Sequence, residues 1–93
     1  MRKIFKYDIS VNDRVNTLKM PKLAEVVHVE VQIPQDPTTV QMWAIVEPDT
    51  ELIERTFVVV GTGHDIPDNN IIYRGTAICY GGQLVWHVLE LVQ

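Results

Sequence analysis

The chain reads as an all-β domain, a small antiparallel sandwich or partly open barrel of six to seven strands closing with a C-terminal β-hairpin. Three observations predict this. Apolar and polar side chains alternate with a period of two along most of the 93 residues, and helical periodicity is almost absent. Turn-forming Pro, Gly, Asn and Asp recur between the alternating runs. A chain of this length has room for one core, so residues 1–93 form a single domain.

The first strand spans residues 2–11, with Phe5, Tyr7, Ile9 and Val11 on one face and Lys6, Asp8 and Ser10 on the other. Asn12-Asp13 marks a turn, because both residues tolerate left-handed backbone. A short extended piece over 15–20 is stopped by Pro21, and 23–25 reads as a single helical turn. The next strand covers 26–33, with Val27, Val29, Val31 and Ile33 expected inward and His28, Glu30 and Gln32 outward. Pro34 and Pro37 end it, since proline cannot donate to a ladder.

Residues 40–46 follow, with Val40, Met42, Ala44 and Val46 on one side and Trp43 and Ile45 on the other, a strand expected to be covered on both faces. Pro48-Asp49-Thr50 turns the chain, 50–54 reads as a brief capped helical turn, and β-branched 55–60 returns to strand. Strands 71–80 and 83–92 are joined by Gly81-Gly82. Type I′ turns need positive φ at both central residues, which makes a glycine pair a strong hairpin signal.

Composition removes several classes of function. Eight basic against 12 acidic residues give a net charge of −4, which argues against binding a nucleic-acid backbone. Arg2, Lys3, Lys6, Arg14, Lys19 and Lys22 crowd the first quarter, but Asp8 and Asp13 dilute them and no aromatic stacking platform joins them. The single cysteine, Cys79, excludes an internal disulfide and a multi-cysteine zinc site, and a reducing cytoplasm is the expected compartment. The start of the chain alternates at once and lacks the apolar core of a signal peptide. Apolar runs such as Phe57-Val58-Val59-Val60 are too short to span a bilayer. An apolar fraction of 46% is high for so small a domain and points to self-association as a homo-oligomer.

The most informative polar segment is the loop 61–68, Gly-Thr-Gly-His-Asp-Ile-Pro-Asp, where functional groups sit on permissive backbone between stiff strands. His64 with Asp65 and Asp68 has the elements of a carboxylate-held base, but Thr62 is the only nearby hydroxyl and no metal signature accompanies it. Gly61-x-Gly63 is not a phosphate loop, because a strand follows it where an anion-holding helix would be required. The three histidines lack metal-clamp spacing, so neither metal nor cofactor is expected. His28 reads as exposed and His87 as a hydrogen-bonded interior histidine. Cys79 reads as a packed thiol. Arg74, placed on a face with Ile72, Thr76 and Ile78, would suit a carboxylate or a ligand phosphate. The candidate ligand site is therefore Thr62, His64, Asp65 and Arg74, with Trp43 or Tyr73 as a stacking surface.

A set of segments spread over nearly the whole chain carries a resemblance. They are Ile4-Phe5-Lys6-Tyr7, Met20-Pro21-Lys22, Val29-x-Val31-Gln32, Trp43-Ala44-x-Val46, Arg55-Thr56-Phe57, Gly61-Thr62-Gly63-His64, Tyr73-x-Gly75-Thr76 and Leu84-Val85-Trp86-His87-Val88. Together they resemble a family of short uncharacterised proteins of tailed bacteriophages and prophages, with Trp86 standing where phenylalanine is as common. The resemblance implies a viral accessory protein acting in an infected bacterial cytoplasm and carries no catalytic residues. The expectation is a non-enzymatic binding protein that captures a host component, either a host protein or a small nucleotide ligand of antiviral defence. A minor virion structural or assembly protein is the alternative, and a hydrolase using His64 with Asp65 comes third.

Overall fold

Period-two alternation becomes seven strands in the computed structural model, which describes residues 1–12, 15–33, 36, 38–79 and 82–92. They are β1 (Lys3–Ser10), β2 (Asn16–Pro21), β3 (Glu25–Glu30), β4 (Thr39–Val46), β5 (Leu52–Gly61), β6 (Asn70–Cys79) and β7 (Leu84–Val92). Two antiparallel sheets form, ordered β1-β4-β3 and β2-β5-β7-β6. They face each other without closing into a barrel, so the expected all-β fold takes its sandwich form.

The inward faces follow from alternation. Val40, Met42, Ala44 and Val46 of β4 are buried, and they meet Ile9, Met20, Phe57, Ala77 and Val88 in one core. Each large side chain of this set contributes about 1.5–3 kcal/mol on burial. Ile9 is sealed as the pattern predicts, whereas Phe5 nearer the start of β1 stays 37% exposed. Trp43 and Ile45 lie half-buried on the opposite face of β4.

Two bulges change the expected faces. In β3 the register jumps from Val26↔Ala44 to His28↔Trp43, so Val27 is surplus. Val26 and Val29 both turn to the core, and Val27, expected inward, is exposed. Ile33, also expected inward, lies past the end of β3 and is exposed. In β6 the jump from Tyr73↔Leu89 to Gly75↔Val88 makes Arg74 the surplus residue. Arg74 therefore does not share a face with Thr76 and Ile78 but reaches Glu90 with the core-facing side chains.

Neither expected helical turn forms. At 21–24 the Ala24 N–H donates to the Pro21 carbonyl at 3.0 Å, with Leu23 exposed at φ 67°. At 47–50 Thr50 closes a turn on Glu47, and Leu52 to Glu54 already belong to β5 because β2 pairs with them. Cross-strand pairing outweighs a local capping preference here. The C-terminal hairpin is present: Cys79↔Leu84 is its last described pair and Gly82 has φ 100°. Tyr80 and Gly81, like Asp13, Pro34 and Pro37 of the predicted turns, lie outside the described residues.

An ion cluster fills one end of the inter-sheet space. Arg55 donates from Nε and Nη2 to the two Glu90 carboxylate oxygens, both at 2.7 Å, and from Nη1 to the Ala24 carbonyl at 2.6 Å. Arg74 adds two bonds to Glu90 Oε1, at 2.9 and 2.7 Å. Burial alone would push the Glu90 carboxyl up. The hydrogen bonds and charges of Arg55 and Arg74 outweigh it and hold the group below its ordinary value.

A Cβ on Gly75 would lie 2.8 Å from Val29 Cγ2 and 2.9 Å from its Cβ, where β3 and β6 meet. Gly75→Ala should cost about 1–3 kcal/mol in urea denaturation, and Val29→Ala in the same chain should recover part of the loss, showing as positive coupling. Glu90→Gln strands two guanidinium groups and should cost about 3 kcal/mol or more at pH 7. Because the folded carboxyl titrates below its unfolded value, its stabilisation is full above about pH 5 and fades as pH falls through the folded value. The gap between wild type and Glu90→Gln should therefore narrow in denaturation curves recorded near pH 3.

Candidate functional site

β5 ends at Gly61, and the chain turns through Thr62, Gly63 and His64 before crossing to Asn70. The His64 N–H donates to the Gly61 carbonyl at 3.0 Å, and Gly63 takes φ 88°, where a side chain would be strained. A Cβ on Gly61 would sit 2.9 Å from His64 Nδ1 and 3.5 Å from Trp86 Cζ3. The bare backbone of Gly61 is thus what lets the His64 ring fold back over the strand end.

The register of β7 sets His87 beside Val60 and Thr76, on the face of the sheet turned away from the core. There His87 Nε2 lies 2.7 Å from Thr62 Oγ1 and Nδ1 lies 2.6 Å from the Tyr73 hydroxyl, which also meets Thr76 Oγ1. A neutral imidazole donates from one nitrogen and accepts at the other. If Thr62 donates to Nε2, then Nδ1 donates to Tyr73 and Tyr73 to Thr76; the other tautomer reverses every bond. Both directions satisfy the whole chain, so Thr62, the hydroxyl at one end of it, can meet a ligand as acceptor or donor.

This chain rims a hollow of about 260 Å³ with an apolar lining of Val60, Ile66, Ile71 and Leu89, and His64 also lines it. On the core side of the same turn a second hollow of about 270 Å³ lies between His64, Gln83 and Trp86. The Trp86 Nε1 is buried without a hydrogen-bond partner among the described residues. A third, of about 580 Å³, lies across the loop between Val11, Val15 and Val58 on one side and Asp65, Ile66 and Pro67 on the other. Among the described residues no lysine or arginine lines any of the three.

Of the residues expected to form a site, Thr62, His64 and Tyr73 come together. Asp65 lines the third hollow on the far side of the loop. Arg74 points inward to Glu90, away from Tyr73. Trp43 lies on the outer face of the other sheet, its ring 5.7 Å from that of His28. His87 and Thr76 complete the cluster and were not among the expected residues. His87 is hydrogen-bonded as anticipated, but on the outer face of its sheet. The missed signal was Gly75, since a glycine inside a strand often marks a bulge. Among the described residues no three His, Cys, Asp or Glu side chains converge as metal ligands, and no helix is long and apolar enough to cross a membrane.

Tyr73→Phe and Thr62→Val should each lower stability by about 0.5–1.5 kcal/mol, the net worth of one such hydrogen bond. Both act through the same imidazole, so the double variant should lose measurably less than the sum in denaturant titrations.

No curated protein and no solved structure shows a significant match to this chain. Residues 1–93 match a family described as a domain of unknown function, DUF7352. The match covers the entire two-sheet sandwich with its Gly61–His64 turn, and the chain belongs to that family.

Proposed function

We propose that this protein is a non-enzymatic binding module that captures a protein partner at the loop following β5. The observation that carries the reading is the apolar hollow of about 260 Å³ rimmed by the Thr62–His87–Tyr73 chain. Its volume suits one aromatic or aliphatic side chain more than a whole nucleotide. The rim offers neutral groups that adapt their hydrogen-bond direction to the partner. A phosphate would look for charge-assisted donors, and the nearest arginine in sequence, Arg74, is committed to Glu90. Tyr73 and Ile66, each 53% exposed beside the hollow, supply an amphipathic aromatic and an aliphatic edge. In the setting implied by the resemblance to tailed-bacteriophage proteins, the module is a viral accessory factor and its partner a protein of the infected bacterium.

Immobilised wild-type chain should enrich a defined protein from bacterial lysate, quantified by mass spectrometry. Tyr73→Asp and Ile66→Asp, both on exposed positions, should lower that enrichment by about tenfold or more. Identical capture by all three chains would overturn the reading. Binding heat from cyclic dinucleotides or ADP-ribose, lost in the same variants, would replace it with a nucleotide site.

A further inference from the structure

The four edge strands of this sandwich are not alike. An open edge invites pairing with another chain, and proteins blunt it with proline, bulges or short strands. β2 is six residues long and stops at Pro21, β3 is interrupted at Val27, and β6 is interrupted at Arg74. β1 carries none of these three, and the charges on its edge, Lys3, Lys6 and Asp8, are of mixed sign and so do not simply repel a second copy. Its eight residues run in unbroken register against β4, from Lys3↔Val46 to Ser10↔Thr39. Ile4 and Phe5 of this strand remain 64% and 37% exposed.

Backbone direction along β1 is fixed by its last residues. The Val11 N–H donates to the Thr38 carbonyl at 2.9 Å, towards β4. The Ser10 N–H instead donates to Asn16 Oδ1, and the Ser10 carbonyl accepts from Asn16 Nδ2, both at 3.0 Å. Odd-numbered residues therefore turn their backbone groups to β4 and even-numbered ones to the open edge. The Asn16 amide occupies Ser10 as a neighbouring strand would, which leaves Ile4, Lys6 and Asp8 presenting the edge.

We infer that β1 pairs antiparallel with β1 of a second copy about a two-fold axis at Tyr7, joining the two β1-β4-β3 sheets edge to edge. This register sets Lys6 of each copy opposite Asp8 of the other as hydrogen-bonded pairs, because both residues point their backbone groups outward, and the ladder ends there, since the Asn16 amide already fills the place beside Ser10 that Ile4 of the other copy would take. Tyr7 faces its own copy, and Phe5 faces Ile9 on the core side. Charge selects the register. Moving the axis one residue back sets Lys6 against Lys6, and one residue forward sets Asp8 against Asp8, each with like charges opposed. Lys6 and Asp8 are both exposed, bonded only to the side chains of Gln32 and Gln41 among the described residues, and free to re-pair. The inference is independent of the hollow beside His87.

Sedimentation velocity over a concentration series should show a monomer–dimer equilibrium for the wild-type chain. Lys6→Asp and Asp8→Lys should each raise the dissociation constant by about tenfold or more, since each sets two like-charged pairs across the axis. The double variant restores opposite charges and should return to the wild-type constant, which separates pairing from misfolding. Register is read by cysteine cross-linking. Lys6→Cys and Asp8→Cys chains mixed under oxidising conditions should form a disulfide-linked heterodimer, whereas Lys6→Cys alone should not link to itself. A wild-type chain that stays monomeric up to about 1 mM, a dimer indifferent to the single charge reversals, or self-linking of Lys6→Cys would overturn the proposal.

Discussion

One surplus residue in β6 governs both faces of the larger sheet. Side chains in a strand alternate strictly, so Tyr73 and Thr76, three apart, belong on opposite faces of a regular strand. The bulge at Arg74 cancels that difference. Tyr73 pairs with Leu89 and Thr76 with His87, both on the outer face, and the Tyr73 hydroxyl can bond Thr76 and His87 together. The same extra residue swings the Arg74 side chain inward to Glu90. The ion cluster between the sheets and the hydroxyl–imidazole chain outside are therefore two consequences of one shift in register.

The bulge in turn is held by its neighbours. Gly75 follows it, and the absence of a side chain lets β6 approach Val29 of β3 across the sandwich. Glu90 binds Arg74 to Arg55 of β5, and Arg55 also bonds the Ala24 carbonyl in the turn before β3. Four segments are thus tied together through Arg55, Glu90 and Arg74. A slip of β6 by one residue would break two charge-assisted bonds and press a side chain into Val29.

This explains how far the sequence could be read. Alternation in β1 and β4 and the glycine pair before Leu84 gave the strand count, the hairpin and most of the core, because each is a local property of consecutive residues. The loop from Gly61 to His64 was also legible, since its glycines advertise unusual backbone. The faces of Val27 and Arg74 were not, because a bulge depends on what the opposite strand offers and a period-two count cannot register it. His87, expected in the interior, lies on the outer face of its sheet for a related reason. Its strand is apolar on both faces, with Val88 inside and Leu89 buried on the outside, so polarity alone could not tell the faces apart.

Energetics suggest why so small a domain keeps a buried charge. Replacing a buried ion pair with well-packed apolar groups is often neutral or stabilising, so raw stability is a weak reason for Glu90 to sit between two arginines. An apolar replacement, however, would leave only the close approach of Gly75 to Val29 to oppose a slip of β6, since Ile71, Ile72, Ala77 and Ile78 offer apolar side chains to both faces. A carboxylate that must meet two guanidinium groups accepts one register. Charge in this interior therefore acts on alignment: it fixes where the surplus residue falls, and with it which hydroxyls surround His87.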